Sequence, residues 1–523
     1  MMLIIFGIAL LLLVYIKLRK TYNFWIERGV KQRKQIYLLG DNAGVFLQRE
    51  TFFDMMQNLY NTYPEERYMG MYQMTLPTLV IRDPDLIKQI TVKEFDHFVD
   101  HRPFIPDGVD PIWSKNLFAL KGNEWRNMRA TLSPSFTSSK MRAIFNLISI
   151  CAHEYMDYFT KTQGTQTVEL KDTFTRYTND VIASTAFGLK SDSINEKDNE
   201  FYLNGKEITT FTFWKNMRFF LYTLTPRLSA ALKIKLFPDH LTNFFKNIIM
   251  STIKAREEQG IVRPDMIHLL LEARKGKKKF EDPPVLDTGF STVEETIKPV
   301  QQTYQITDTD IAAQALIFFF AGFETVSIAM CFMGYELTVN PDIQERLQKE
   351  IDETIESCEG TLTYEALMKM KYMDMVVSET LRKWPPAVGS DRVCNETFTI
   401  EPKNPGEKAI TLQKGDIIWF PTNAIQRDPK YYPNPDKFDP ERFSDENKHN
   451  IKPYTYLPFG LGPRNCIGSR FALLELKTIF FHLLRNFDLV VTEKTQIPLK
   501  LSKKSFNMIA ENGMWIGLKP RCL

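Results

Sequence analysis

Phe459-Gly460-Leu461-Gly462-Pro463-Arg464-Asn465-Cys466-Ile467-Gly468 says more about this chain than any other window of its sequence. An apolar helical pattern follows at once, so a single cysteine stands in a glycine-rich loop at a helix N-terminus. Glycines let a backbone come close to a flat cofactor and turn its N–H groups toward the sulfur. The positive end of the helix dipole and Arg464 favour a thiolate over a thiol, as a ligand to iron requires. Lone cysteines are most often small buried hydrophobes. Phe459, Gly462, Arg464 and Gly468 at fixed offsets outweigh that plainer explanation here.

Working outward, the pattern predicts a last strong helix from Gly468 to Arg485, and short strands with Pro-rich coil between Pro385 and the cysteine loop. Further upstream, a long helix is predicted from Thr307 to Val339, stopped by Asn340-Pro341, and then a second that ends at Trp384-Pro385-Pro386. From about Thr51 to Lys275, apolar residues recur at three and four, as in Phe52, Met55, Met56, Leu59 and Tyr60. A strand-like interruption near Tyr68 to Arg82 predicts a small sheet. Residues 276–302 carry Lys277-Lys278-Lys279 and Pro283-Pro284 with few large apolar side chains, which predicts an exposed loop. The expected fold class is mainly α with small β-sheets, with no internal repeat.

Composition sets outer bounds. Of 523 residues, 44% are hydrophobic and 25% charged, which excludes a disordered chain and a multi-span membrane protein. Balance between 66 basic and 63 acidic residues argues against nucleic acid as a main partner. Six cysteines are scattered without paired spacing, so no disulfide framework or zinc pattern is expected. Met1 to Ile16 is apolar and is followed by Lys17, Arg19 and Lys20, which reads as an uncleaved anchor over residues 1–20 with residues 21–523 on the cytosolic side. Sixteen helical residues rise about 24 Å, closest to the thin bilayer of the endoplasmic reticulum. A secretory signal is the alternative, and an intact N-terminus on the mature protein separates the two.

Three further patterns carry chemistry. Glu379-Thr380-Leu381-Arg382 sets opposite charges at i and i+3 on one helix face; exposed pairs of this kind contribute only about 0.2 to 0.5 kcal/mol, but Met373, Met375, Val376 and Val377 make this helix largely apolar. Ala321-Gly322-Phe323-Glu324-Thr325 places glycine and threonine inside the long helix, where threonine can bond back to the carbonyl four residues earlier, so a local distortion is expected. Trp125 and Arg129 share a helix face at i and i+4.

The cysteine loop, Glu379 with Arg382, Pro440-Glu441-Arg442-Phe443, and Glu324 with Thr325 together resemble the cytochrome P450 family over nearly the whole chain. The resemblance implies a single catalytic domain of that fold, with Cys466 as the thiolate ligand of haem b and Phe459 against the haem. It gives Trp125, Arg129, Arg392, Arg464 and, less regularly, His101 roles in holding haem propionates. Glu379, Arg382 and Arg442 become a structural lock, and Glu324 with Thr325 a proton relay. The implied reaction inserts one oxygen atom of O2 into a lipophilic substrate, with electrons from NADPH through NADPH-cytochrome P450 reductase and a further role open to cytochrome b5. Arg392-Val393-Cys394 and Phe318-Phe319-Phe320 look most like insect family nine and the related vertebrate family three, which implies xenobiotic substrates, with Phe320 and Val388 as pocket walls. The aromatic run from Phe211 to Tyr222 becomes a membrane-dipping gate. Lys121, Arg126, Lys140, Arg142, Lys437, Arg470 and Lys477 become a basic face for the reductase. One departure stands out: Val30 to Tyr37 lacks the Pro-rich hinge usual in microsomal members. Haem-thiolate isomerases or dehydratases are a rival reading, although such relatives tend to lose the pair retained at Glu324 and Thr325. A non-catalytic haem-binding protein is the other.

Overall fold

The computed structural model describes residues 2–103, 105–106, 108–275, 289–293 and 306–521. Helices dominate. Those that build the site are α1 (Met2–Tyr22), α2 (Phe52–Tyr60), α3 (Gly122–Leu132), α4 (Ser138–Thr160), α5 (Leu170–Ile182), α6 (Asp308–Val339), α7 (Pro341–Ser357), α8 (Lys371–Lys383) and α9 (Ser469–Asn486).

Where the sequence predicts a small sheet, strands β1 (Tyr68–Gln73) and β2 (Leu76–Ile81) pair as an antiparallel hairpin. They are joined by β4 (Ser390–Val393) and β7 (Ile417–Phe420) in the order β1-β2-β7-β4, with β2 and β7 parallel. A second sheet pairs β3 (Gln166–Glu169), β9 (Trp515–Pro520) and β8 (Phe487–Val490), and β5 (Phe398–Ile400) pairs with β6 (Ile410–Leu412).

Helix α6 is apolar on every side, which suits a helix that crosses a core. It is long and apolar enough to span a membrane, yet most of it is buried inside the fold. Thr307 caps it, its hydroxyl accepting from the Asp310 N–H while the Asp310 carboxylate accepts from the Thr307 N–H. In α1, by contrast, Met2, Ile4, Ile5, Phe6, Leu12 and Leu13 are exposed.

Four expectations need correcting. Helix α1 continues past the apolar run to Tyr22, so its 21 residues rise about 31 Å rather than 24 Å. The stretch after α6 is broken into α7, a short helix Tyr364–Lys369, and α8, because Glu359 and Gly360 take positive φ and Met370 is extended. Residues 276–288 and 294–302 of the expected loop lie outside the described residues, but 289–293 are not exposed as a loop. Ser291 is buried, its hydroxyl bonded to those of Ser378 and Tyr456, and the Phe290 N–H donates to Asp374 at 2.8 Å. Lys477 is fully buried and paired with Asp374 at 3.0 Å, so it belongs to no basic surface.

Candidate functional site

The cysteine loop is built by backbone geometry. The Cys466 N–H donates to the Phe459 carbonyl at 2.8 Å, closing the loop over a short 3-10 turn at Gly462–Arg464. Gly462 has φ of +67°, and a Cβ there would lie 1.9 Å from the Thr91 carbonyl oxygen, so only glycine fits. Gly468 then caps α9. Phe459 is half-buried against the main core.

Solvent reaches Cys466, but protein surrounds it. Burial pushes its thiol up, while the Gly468 N–H and the Arg129 guanidinium act in the opposite direction. The sequence pattern assigns the charge beside the thiol to Arg464, whereas the cation acting on Cys466 is Arg129. The Arg464 guanidinium is spent on carbonyls, donating to Val99 at 2.7 Å, Leu117 at 3.1 Å and Leu120 at 2.7 Å, and it lies 4.2 Å over the Trp125 ring. Arg129 instead grips the residue before the cysteine, donating to the Asn465 carbonyl at 2.8 Å and to its side-chain oxygen at 2.7 Å.

Around the loop stand further cations. Arg392, on β4, is buried and reaches the Leu461 carbonyl at 3.4 Å, while its Nε has no hydrogen-bond partner. Burial draws its pKa down to about 10. His101 is not a surface histidine: its Nδ1 meets Asp391 Oδ1 at 3.0 Å, its ring stacks on Phe118 at 4.6 Å, and burial lowers its pKa to about 4. Behind the loop, Arg382 grips Glu379 through two bonds of 2.6 and 2.8 Å, and both side chains are inaccessible. Arg442 joins them at 3.5 Å from Glu379, and the Asp439 N–H donates to the same carboxylate at 2.8 Å.

Helix α6 runs unbroken through Gly322, so the expected distortion is absent. Gly322 serves packing instead, since a Cβ there would come within 3.0 Å of Ile182 on α5. The Thr325 hydroxyl does bond back to the Ala321 carbonyl, at 2.7 Å. Ala321 and Thr325, one turn apart, are exposed, while Phe319, Phe323 and residues 326–330 are buried. Glu324 meets Lys171 at 2.9 Å and Asn507 at 3.0 Å. Phe320 sets its ring edge against Trp113 and Phe237, and Val388 is buried with its carbonyl accepting from Asn423.

The sequence patterns singled out neither Lys171 nor Asn507, both far from Glu324 along the chain. Asp391 was missed despite standing next to Arg392 in the quoted motif; an acid flanking a buried arginine was the available signal.

Among the described residues no group of three or more His, Cys, Asp and Glu side chains is gathered to hold a bare ion. One accessible cysteine on a rigid loop suits a metal already carried in a macrocycle, and a thiolate suits iron. The unpartnered Arg392 Nε, with His101 beside it, suits a carboxylate such as a haem propionate. These features define the haem-thiolate class. The family model Cytochrome P450 matches residues 35–516. Cytochrome P450 9e2 of Blattella germanica is 46% identical over 533 residues, covering 99% of this chain and 97% of that protein. Probable cytochrome P450 9f2 of Drosophila melanogaster is 43% identical over 510 residues, 95% of each, and cytochrome P450 6k1 of Blattella germanica is 35% identical, covering 97% of this chain and 94% of that one. The chain belongs to the cytochrome P450 family, and with it to the monooxygenases that use a cysteine-ligated haem iron, a redox partner and lipophilic substrates.

Proposed function

We infer that this protein is a membrane-anchored monooxygenase of the endoplasmic reticulum that oxidises lipophilic xenobiotics, with NADPH-cytochrome P450 reductase as electron donor and cytochrome b5 as an accessory partner. Cys466 is the haem ligand, and Arg392, His101, Trp125, Arg129 and Arg464 form the cradle, with Arg392 and His101 toward the propionates and the other three holding the cysteine loop. Bound there, the haem would supply O2 activation, so that one oxygen atom enters the substrate and the other leaves as water. The chain's own part is proton supply and exclusion of water. Thr325 presents its hydroxyl on the accessible strip of α6, and Glu324, next to it, holds the exchangeable proton. Phe320 and Val388 wall the pocket on its apolar side. The exposed apolar surface of α1 and exposed Trp214, in the aromatic run, suit contact with a bilayer.

The observation that carries this reading is the accessible Ala321–Thr325 strip on an otherwise buried helix, because an isomerase or a ligand-binding protein has no need of an acid and an alcohol there. The test is NADPH consumption and product formation by membrane-reconstituted protein with microsomal reductase, across xenobiotics, steroids and fatty acids. Oxygenated products from several unrelated xenobiotics are expected. Spectral binding without reductase-dependent product would overturn the reading in favour of an isomerase or binding protein.

A further inference from the structure

Two donors converge on one oxygen of Glu324. Lys171 Nζ, from α5, lies 2.9 Å from Oε1, and Asn507 Nδ2 donates to the same atom at 3.0 Å. Lys171 also donates to the Ser327 hydroxyl at 3.1 Å, one turn along α6. Oε2 stands outside these contacts.

Asn507 comes from a hairpin near the C-terminus. Leu501 bridges to Ala510, the Ser502 N–H donates to Ile509 at 2.7 Å, and the Glu511 N–H donates to Lys500 at 2.9 Å. At its tip, Phe506 is 51% exposed and its ring lies 4.8 Å from that of Phe52 on α2. The tip therefore touches Glu324 through one residue and offers an accessible aromatic ring through the next. Lysine is a point charge on a flexible stem, and a neutral amide can leave a carboxylate without stranding a buried charge. Both holds can open.

We propose that Lys171 and Asn507 are positioning residues for the Glu324 carboxyl, and that the Lys500–Glu511 hairpin makes that placement respond to an apolar ligand lying against Phe506. A bulky ligand that displaces Phe506 carries Asn507 with it, loosens Oε1 and frees the carboxyl to turn toward Thr325. The proposal rests on Glu324 as proton donor. Cys331 on α6, kept a neutral thiol by burial, feels Glu324, Lys171 and Glu169 together, and Lys503 and Lys504 of the hairpin are exposed.

The experiment uses the full chain, haem-loaded and reconstituted with reductase, and reads product per NADPH, peroxide release and their pH dependence. Glu324→Gln tests the underlying reading and should cut product per NADPH by about tenfold or more. Lys171→Met and Asn507→Ala should each cut it about threefold to tenfold. Loss of the lysine cation should also alter the pH dependence of product per NADPH, which a merely structural role would leave in place. Lys171→Arg should restore both. Hydrogen exchange at the amides of residues 501–510 should quicken in Glu324→Ala, and in the unaltered protein on adding a bulky apolar ligand. If Glu324→Gln is uncoupled while Lys171→Met and Asn507→Ala keep wild-type coupling and pH profile, the positioning role is wrong and the relay stands. Wild-type coupling in Glu324→Gln overturns both. The absorption of the reduced carbon monoxide complex confirms folding, and should Lys171→Met fail to load haem, Asn507→Ala carries the same test.

Discussion

Glu379 and Glu324 each meet a cation, and the two pairs are built for opposite ends. Glu379 and Arg382 sit a turn apart on one helix, joined by a two-bond fork, with neither side chain accessible. Glu324 and Lys171 come from different helices, meet through one contact, and keep 17% and 21% of their side-chain surface. A desolvated pair cannot open without leaving a bare charge in the interior. A pair near solvent trades its partner for water at small cost. The first locks α8 to the chain at Pro435 and Asp439; the second holds the group proposed above to move a proton.

The largest expected effect follows from that difference. Glu379→Ala leaves Arg382 buried without its carboxylate, and should destabilise the fold by about 3 to 5 kcal/mol and deplete bound haem. Chemical denaturation with haem quantification checks it, and an unchanged midpoint would end the contrast.

A neutral histidine held by a carboxylate sharpens it. Burial holds the His101 pKa at about 4, against the pull of Asp391, whereas an unfolded histidine titrates near 6.5. As pH falls, the unfolded chain takes up this proton first. The His101 contribution is thus complete above about pH 6.5 and lost progressively toward pH 4, by about 3 kcal/mol at most. His101→Gln should flatten the stability slope across this window, and an identical slope in both proteins would discard the assignment.

Gly462 shows how far rigid backbone alone can hold a site. Alanine there must keep a left-handed φ and push against the Thr91 carbonyl, so Gly462→Ala should cost about 1 to 3 kcal/mol and broaden the haem absorption. Thermal melts against Gly468→Ala separate the effect from loss of flexibility as such, because nothing lies within 4 Å of a Cβ at Gly468.

What was legible in the sequence was local. The cysteine loop, the helix start at Thr307, the Asn340-Pro341 stop and the small sheet near Tyr68 to Arg82 each depend on residues close together, and all appear where expected. Contacts between distant segments were not legible. A stretch rich in lysine and proline looks exposed, yet Phe290 finds Phe443 and Tyr456 at ring distances of 5.1 and 5.4 Å, and Ser291 finds two hydroxyls. Lys477 looked like surface because charge usually is, and Asp374, about a hundred residues earlier, is the partner that explains its burial. Gly322 suggested a local distortion, whereas its neighbour is the side chain of Ile182 on another helix.

The smallest effect is the one that completes the comparison. Lys171→Met removes a cation that keeps 21% of its side-chain surface, retains most of its apolar stem and leaves Glu324 able to draw on water and Asn507, so stability should change by less than about 1 kcal/mol. Measured beside Glu379→Ala under the same denaturation, it gives the ratio of the two pairs directly. A loss as large as that of Glu379→Ala would mean that the Lys171 pair is a second fastener, and that the accessible strip of α6 is held as rigidly as the cysteine loop. A small loss would mean that this helix, buried almost throughout, keeps one loosely held charge where the proposed relay requires it.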